Sequence, residues 1–172
     1  SISVVADNGP SAPGVSALQC TRAENPAGGS ASGDWTAVQQ NLAIDASLYS
    51  AMSLSIDTKV LAHNLAAGGW AVPAFEWPVT LEIEYTTQGG ASQIWRYGWY
   101  IDPPGDVAGG SPVNDPGQGL IPVYNDMLVP QNVWVATTFS LFNELPQVKT
   151  IDRIRVGGSG WDYEGRADNL IL

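Results

Sequence analysis

The chain has 172 residues, which is the size of one domain with a hydrophobic core of its own. Its 7 basic and 17 acidic residues give a formal net charge of −10, the opposite of the basic surface that binds nucleic acid. No apolar run approaches the roughly 18 residues of a membrane span, and seven Trp with 44% hydrophobic residues exclude a disordered chain. We therefore predict a single domain, 1–172, that neither binds nucleic acid nor inserts into a membrane.

Polar and apolar residues alternate along several segments, as they do in half-buried strands. The clearest case is Val79-Thr80-Leu81-Glu82-Ile83-Glu84-Tyr85, whose apolar residues share one face. In chain order we predict strands at 2–6, 36–44, 49–61, 78–87, 92–101, 120–125, 132–142, 149–156 and 161–172, with one short helix at 60–67. This order predicts an all-β fold, a two-sheet antiparallel β-sandwich of the jelly-roll type.

Two segments rich in Gly and Pro interrupt the strands. We predict long loops near 21–34 and at 102–119, the second with Pro103, Pro104 and Gly105 at its start. A loop of this length in a compact domain is either functional or a surface excursion, and the sequence leaves both open.

Aromatic residues are the first candidates for a binding site. Trp95, Tyr97 and Trp99 alternate along one strand and share a face, which is either part of the core or an aromatic platform. Flat rings stack on the apolar faces of sugars, and rings held at turns are less easily absorbed into a core. The predicted ligand-binding residues are Trp70, Trp77, Arg96, Trp99, Trp161 and Tyr163.

Paired carboxylates are the second candidate. Glu82 and Glu84 lie on one face of a strand, about 6.6–7 Å apart along the chain. That spacing is compatible with glycoside hydrolysis, but any Glu-x-Glu strand satisfies it, so we interpret the pair as exposed surface acids. With His63 as the only histidine and no Gly-x-Ser-x-Gly motif, we predict a protein that is not an enzyme. Cys20 is interpreted as a small buried apolar residue.

Several motifs in order resemble a known group of domains. Gly68-Gly69-Trp70, Trp77–Tyr85, Ile94–Tyr100, Val129–Trp134 and Ile154–Tyr163 look like parts of the outer, C-terminal domain of FecR-like bacterial envelope proteins. The resemblance covers residues 50–172. It implies a non-catalytic sandwich that is extracellular or on the cell surface.

The last strand carries a second resemblance. Ala167-Asp168-Asn169-Leu170-Ile171-Leu172 is similar to the end of carbohydrate-binding jelly rolls of the galactose-binding-like type. Such modules often hold a structural calcium between the first and last strands, which implies Asp7 and Asp168 as metal ligands. Carboxylate and amide oxygens suit Ca²⁺, and solvated loop acids are the alternative.

These observations leave two main functions and one remote one. The first is a non-catalytic extracellular carbohydrate-binding module that takes a polysaccharide on exposed aromatic and polar side chains. The second is a structural or adhesive subunit that self-assembles by β-strand addition, with Ile2-Ser3-Val4-Val5 pairing with the sheet edge of another chain. A glycoside hydrolase or polysaccharide lyase is the remote alternative.

Overall fold

The structure is a computed structural model that describes residues 1–7, 9–10, 16–23, 34–63, 77–101, 125–160 and 162–172, with residues 34, 35 and 125 described by backbone alone. Its elements are β1 (Ile2–Val5), β2 (Ala17–Arg22), β3 (Asp34–Asp45), a 3-10 turn (Ala46–Leu48), β4 (Ser53–His63), β5 (Trp77–Thr87), β6 (Ser92–Tyr100), β7 (Asn125–Leu128), β8 (Val135–Ser140), α1 (Leu141–Glu144), β9 (Val148–Gly160) and β10 (Tyr163–Ile171). Among these described elements, no helix is long and apolar enough to span a membrane.

The strands form two five-stranded sheets. Sheet A has the order β1-β2-β10-β4-β8, and sheet B has the order β3-β9-β5-β6-β7. Neighbouring strands are antiparallel except β6 and β7, which are parallel. Most strands that follow one another in sequence lie in opposite sheets, as in a jelly roll. The predicted all-β sandwich is confirmed.

The predictions of secondary structure fail at several places among the described residues, and the predicted strand at 132–142 is one of them, because β8 ends at Ser140 and Leu141–Glu144 form α1. β2 was not predicted, because Ala17–Arg22 lacks a clean alternation of polar and apolar residues. The predicted helix at 60–67 is wrong for residues 60–63, since β4 continues to His63 and pairs there with Tyr163. Pairing with β10 overrides the helix-forming tendency of Leu and Ala in this segment. Of the predicted strand at 120–125, residues 120–124 lie outside the described residues.

The core lies between the sheets and follows the predicted alternation. Val79, Leu81 and Ile83 are buried, and the β9 partners of Leu81 and Ile83, which are Val156 and Ile154, are buried with them. Trp95, Tyr97 and Trp99 point inward and surround Phe139 of β8, with ring centroids 4.8 to 6.2 Å from its own. Edge-to-face contacts of this kind add to the stabilisation from area burial. The stripe of alternating rings in β6 therefore belongs to the core.

Glycines in β9 and β10 leave room for a buried ring and for a backbone carbonyl. A Cβ on Gly158 would lie 2.3 Å from the Tyr163 ring, and one on Gly165 would lie 2.2 Å from the Pro78 carbonyl oxygen. The Tyr163 hydroxyl donates a hydrogen bond of 2.8 Å to the Gly158 carbonyl. The glycine-rich segment 157–160 is thus a strand that must approach its neighbours closely.

Two buried polar residues have structural roles that agree with their interpretation from sequence. His63 Nδ1–H donates to the Ile101 carbonyl at 2.7 Å, which makes it a packed histidine. Cys20 is buried with a free thiol, and burial raises its pKa to about 12. A thiol with so high a pKa is nearly always protonated and unreactive at neutral pH.

Candidate functional site

Three of the predicted ligand-binding rings are buried. Trp77 packs against Gly98, where a Cβ would lie 2.0 Å from the indole ring. Trp99 donates from Nε1 to the Thr137 hydroxyl at 3.2 Å within the core, and Tyr163 is enclosed as described above. A ring without exposed surface cannot stack on a sugar in this conformation. The ligand role predicted for Trp77, Trp99 and Tyr163 is therefore corrected to a packing role.

Two further predicted residues, Trp70 and Trp161, lie outside the described residues, as does the predicted loop at 102–119. Of the loop near 21–34, the described ends belong to strands: Thr21 and Arg22 to β2, and Asp34 to β3. The binding roles predicted for Trp70 and Trp161 stay predictions.

Arg96 belongs to an ionic network on the outward face of sheet B. Its Nε donates to Glu82 Oε2 at 2.7 Å, while Arg155 of β9 holds the other oxygen of the same carboxylate. The Glu82 side chain has no exposed surface, and both guanidinium groups are mostly buried. Arg96 points outward as predicted, but its charge is used in holding a buried carboxylate.

Glu84 continues this network one position further along β5. Its carboxylate accepts from Arg153 Nε at 3.1 Å and lies 3.8 Å from Arg155. Glu82 and Glu84 do share a face, as predicted, but their interpretation as exposed surface acids is wrong for Glu82, which is buried, and guanidinium groups from neighbouring strands match both. Ion pairs across adjacent strands are what stabilise a sheet, so this arrangement favours a structural role for the pair over an acid–base role.

The outward face of sheet A presents a different arrangement. Lys59, Arg166 and Gln19 are directly opposite one another on β4, β10 and β2, so their side chains share this face. Trp134 precedes β8 and completes the line, with the Lys59 ammonium 5.6 Å from its ring centroid. We call these four residues the sheet A row. Trp134 is half-buried.

Asp7 joins three members of the sheet A row. One oxygen accepts from Lys59 at 3.0 Å and from Arg166 at 2.6 Å, and the other accepts from Trp134 Nε1 at 3.3 Å. Partial burial by itself would raise the pKa of Asp7, but the hydrogen bonds from Arg166, Lys59 and Trp134 outweigh it and lower the pKa to about 2. The ionised carboxylate thus fixes the orientation of the indole.

A turn that is held by three hydrogen bonds positions Trp134. The Val129 N–H donates to the Tyr100 carbonyl at 2.8 Å, and the Asn132 N–H donates to the Val60 carbonyl at 2.8 Å. The Gln131 side chain adds a bond of 2.7 Å to the Leu61 carbonyl. Asn132 adopts a positive φ of 60°, a conformation that Asn tolerates better than most residues. The turn is therefore attached to both sheets, and it delivers Trp134 to a defined place.

The predicted metal ligands do not form a cation site here. The two chain regions are neighbours as predicted, since the Gly9 N–H donates to Asp168 Oδ2 at 2.9 Å. However, Asp7 already holds two cations, and Asp168 Oδ1 accepts from the Asn169 N–H at 2.7 Å. Within the described ranges, no group of three or more His, Cys, Asp or Glu residues is arranged to hold a metal. These carboxylates do not fit Ca²⁺ in this arrangement, and calcium binding stays a prediction.

Sequence reasoning did not select Trp134, although a signal was present. In β8 the inward residues are Val135, Thr137 and Phe139, which places Trp134 on the outward side. The preceding Pro130-Gln131-Asn132 also marks a turn. The predicted ligand-binding residues therefore omit a ring that strand parity places on the surface.

Comparisons with known proteins give little further information. No protein-family model and no curated protein matches the chain. Among solved structures, a chain from a structural analysis of an exo-beta-agarase is similar, with a TM-score of 0.43 and 14% identity over 99% of this chain. This chain spans 22% of the length of that protein. A likeness at this level carries no conclusion about ligand or activity, and the resemblance to FecR-like domains stays a prediction.

Proposed function

We propose that the protein is a non-catalytic carbohydrate-binding module, extracellular or on the cell surface, that holds a polysaccharide on the outward face of sheet A. The observation that carries this proposal is the half-buried Trp134 ring, fixed by Asp7 and Lys59 at the end of the sheet A row. A preorganised ring beside polar groups is the arrangement that binds a sugar, because the ring takes the apolar face and the polar groups take the hydroxyls.

The polar groups around Trp134 include both donors and acceptors. Arg166 donates to Gln19 at 2.8 Å and approaches Glu164 at 3.4 Å, and the Glu164 side chain is 34% exposed. Amide, carboxylate and guanidinium groups in one row are able to match the mixed donors and acceptors of sugar hydroxyls. The row runs across the strands, so we place the glycan chain across sheet A.

The non-catalytic part of the proposal is supported by the state of the carboxylates. Glu82 and Glu84 are matched by arginines on sheet B, and Asp7 is matched by Lys59 and Arg166 on sheet A. A general acid or base must be able to exchange its proton with substrate, and these groups are fixed by cations.

Binding to insoluble polysaccharides tests the proposal. The wild-type chain and the Trp134→Ala variant are each mixed with agarose, cellulose, xylan and chitin, and the bound fraction is measured. We expect wild-type retention on at least one polymer and at least a tenfold weaker affinity for Trp134→Ala, because truncating a central aromatic residue costs about 2 kcal/mol or more and tenfold corresponds to about 1.4 kcal/mol.

Tyr49→Ala provides the matched control. Tyr49 is also an exposed aromatic residue, but it lies in the turn before β4 and outside the sheet A row, so its removal should leave retention unchanged. Equal loss in both variants, or no loss in Trp134→Ala, would remove the site from sheet A. Repeating the measurement in EDTA and in added Ca²⁺ checks the calcium prediction. Release of reducing sugar, abolished in Glu84→Gln, would show an enzyme instead.

A further inference from the structure

One side of the sandwich leaves its inner apolar surface open. β1 and β3 are the edge strands of sheets A and B on this side, and they pack near each other. Val4 is paired with Leu18, and Val38 is paired with Val156, so both valines point toward the core side of their sheets. Yet Val4 is 75% exposed and Val38 is 43% exposed. We call these two strands and their inward valines the open side.

The opposite side of the sandwich is closed. There Phe139 of the edge strand β8 also points inward, but it is only 5% exposed, because Trp95, Tyr97 and Trp99 pack around it. Large aromatic rings therefore fill the gap between the sheets at one side, and valines leave it open at the other.

The open side also presents a strand edge that is regular from Asp34 to Asn41, before the bulge between Asn41 and Ile44. Among the described strands, β3 pairs only with β9. Its residues 35–44 include no charged residue and no proline, and Gln39, Gln40 and Asn41 are exposed. Proteins that avoid edge pairing place Lys or Pro on such strands. An uncharged edge of this length is a template for another strand.

We infer that the protein forms a two-fold symmetric dimer in which β3 pairs antiparallel with β3 of a second copy. Antiparallel self-pairing is satisfied by a two-fold axis normal to the sheets. Because β1 and β3 lie on the same side of the sandwich, the same axis brings the two β1 edges to face each other. Both sheets then continue across the interface, and the Val4 and Val38 side chains of both copies leave solvent.

Charge distribution favours this side over other contact surfaces. The chain carries 24 charged residues and a net charge of −10, so two copies repel each other at most orientations. On the open side, β1 has no charged side chain, and β3 has only Asp34 and Asp45 at its two ends. The dimer should therefore become tighter as salt screens the repulsion, whereas an interface built on ion pairs would weaken.

Light scattering coupled to gel filtration tests the inference over a range of concentration and salt. We expect a mass that rises from 18.2 kDa toward twice that value with concentration, with at least a tenfold weaker dimer for Val38→Lys. Val133→Lys is the matched control, since Val133 is 48% exposed but lies outside the open side. A wild-type monomer at every concentration, or a dimer that survives Val38→Lys, would overturn the inference.

Disulfide trapping gives a second measurement that does not depend on a destabilising charge. Single cysteines at positions 37 to 40 are introduced one at a time, and buried Cys20 does not interfere. Antiparallel pairing about a two-fold axis brings the residue nearest the axis within disulfide range of its own copy. We expect covalent dimers for one or two of these positions and none for Val133→Cys. Absence of crosslinking at all four positions would also overturn the inference.

Discussion

The outward faces of the two sheets carry the same kinds of side chain but differ in burial. On sheet B, the Glu82 side chain has no exposed surface and is held by Arg96 and Arg155. On sheet A, the Asp7 side chain is 18% exposed, and half-buried Trp134 lies beside it, while the arginines of the two sheets are similarly exposed, at 14% to 28%. The two faces thus differ in the burial of one carboxylate and in the half-buried tryptophan, and not in the exposure of their cations.

Few basic residues remain outside these two groups of ion pairs. Of the seven basic residues, Arg96, Arg153 and Arg155 are on sheet B, and Lys59 and Arg166 are on sheet A. In a chain with 17 acidic residues, two of these cations hold Glu82, which is almost fully buried. Exposed ion pairs contribute little to stability, whereas breaking a buried one is costly.

The largest expected effect comes from removing the buried charge of sheet B. Glu82→Gln leaves the guanidinium groups of Arg96 and Arg155 without their shared carboxylate in a buried place. We expect the free energy of unfolding to fall by about 3–5 kcal/mol, measured by urea denaturation. Glu164→Gln on sheet A, with a more exposed carboxylate, should cost less than about 1 kcal/mol. Equal losses would erase the difference between the two faces.

A second test concerns packing on the outward face of sheet B. Gly98→Ala places a methyl group where the Trp77 ring lies, so ring or strand must shift. We expect a loss of about 1–3 kcal/mol in unfolding free energy. Gly89→Ala is the control, because its nearest neighbour, the Thr87 hydroxyl, is 3.8 Å from the added Cβ. A neutral Gly98→Ala would mean that Trp77 is not packed against this position.

The third test uses pH to measure how much the ionised Asp7 carboxylate on sheet A stabilises the folded state. Because the pKa of Asp7 is lowered from 3.8 to about 2, its ionised form stabilises the folded state above pH 3.8. That stabilisation is lost as the pH falls from 3.8 through 2. Asp7→Asn should cost about 1–2 kcal/mol at pH 5 and remove this part of the pH dependence. An unchanged pH profile of unfolding in Asp7→Asn would contradict the assignment.

The smallest expected effect on stability is that of Trp134→Ala. The ring is half-buried on an outward face, so its removal should cost about 1 kcal/mol or less, and thermal unfolding should shift by a few degrees. Polysaccharide retention should nevertheless be lost in the same variant. A large drop in stability would place Trp134 with the packed rings and not with a binding surface.

Sequence alternation determined the sandwich and the side of the sheet to which many residues point. Val79, Leu81 and Ile83 turn inward, and Glu82, Glu84 and Arg96 turn outward, because successive side chains of a strand alternate between its faces. The resemblance to carbohydrate-binding jelly rolls likewise placed the two chain ends near each other. The face to which each side chain points follows from local strand geometry and needs no knowledge of what packs above the strand.

Only the tertiary structure decided which aromatic rings remain accessible. Trp77 lies beside a register shift in β5 and packs on Gly98. Trp134, in contrast, is placed beside sheet A by a turn that is hydrogen-bonded to both sheets. Accessibility depends on neighbours that are distant in sequence, and one bulge changes the face to which a ring points. The same holds for the ion pairs: the sequence supplied the charges, and the pairing of strands chose their partners.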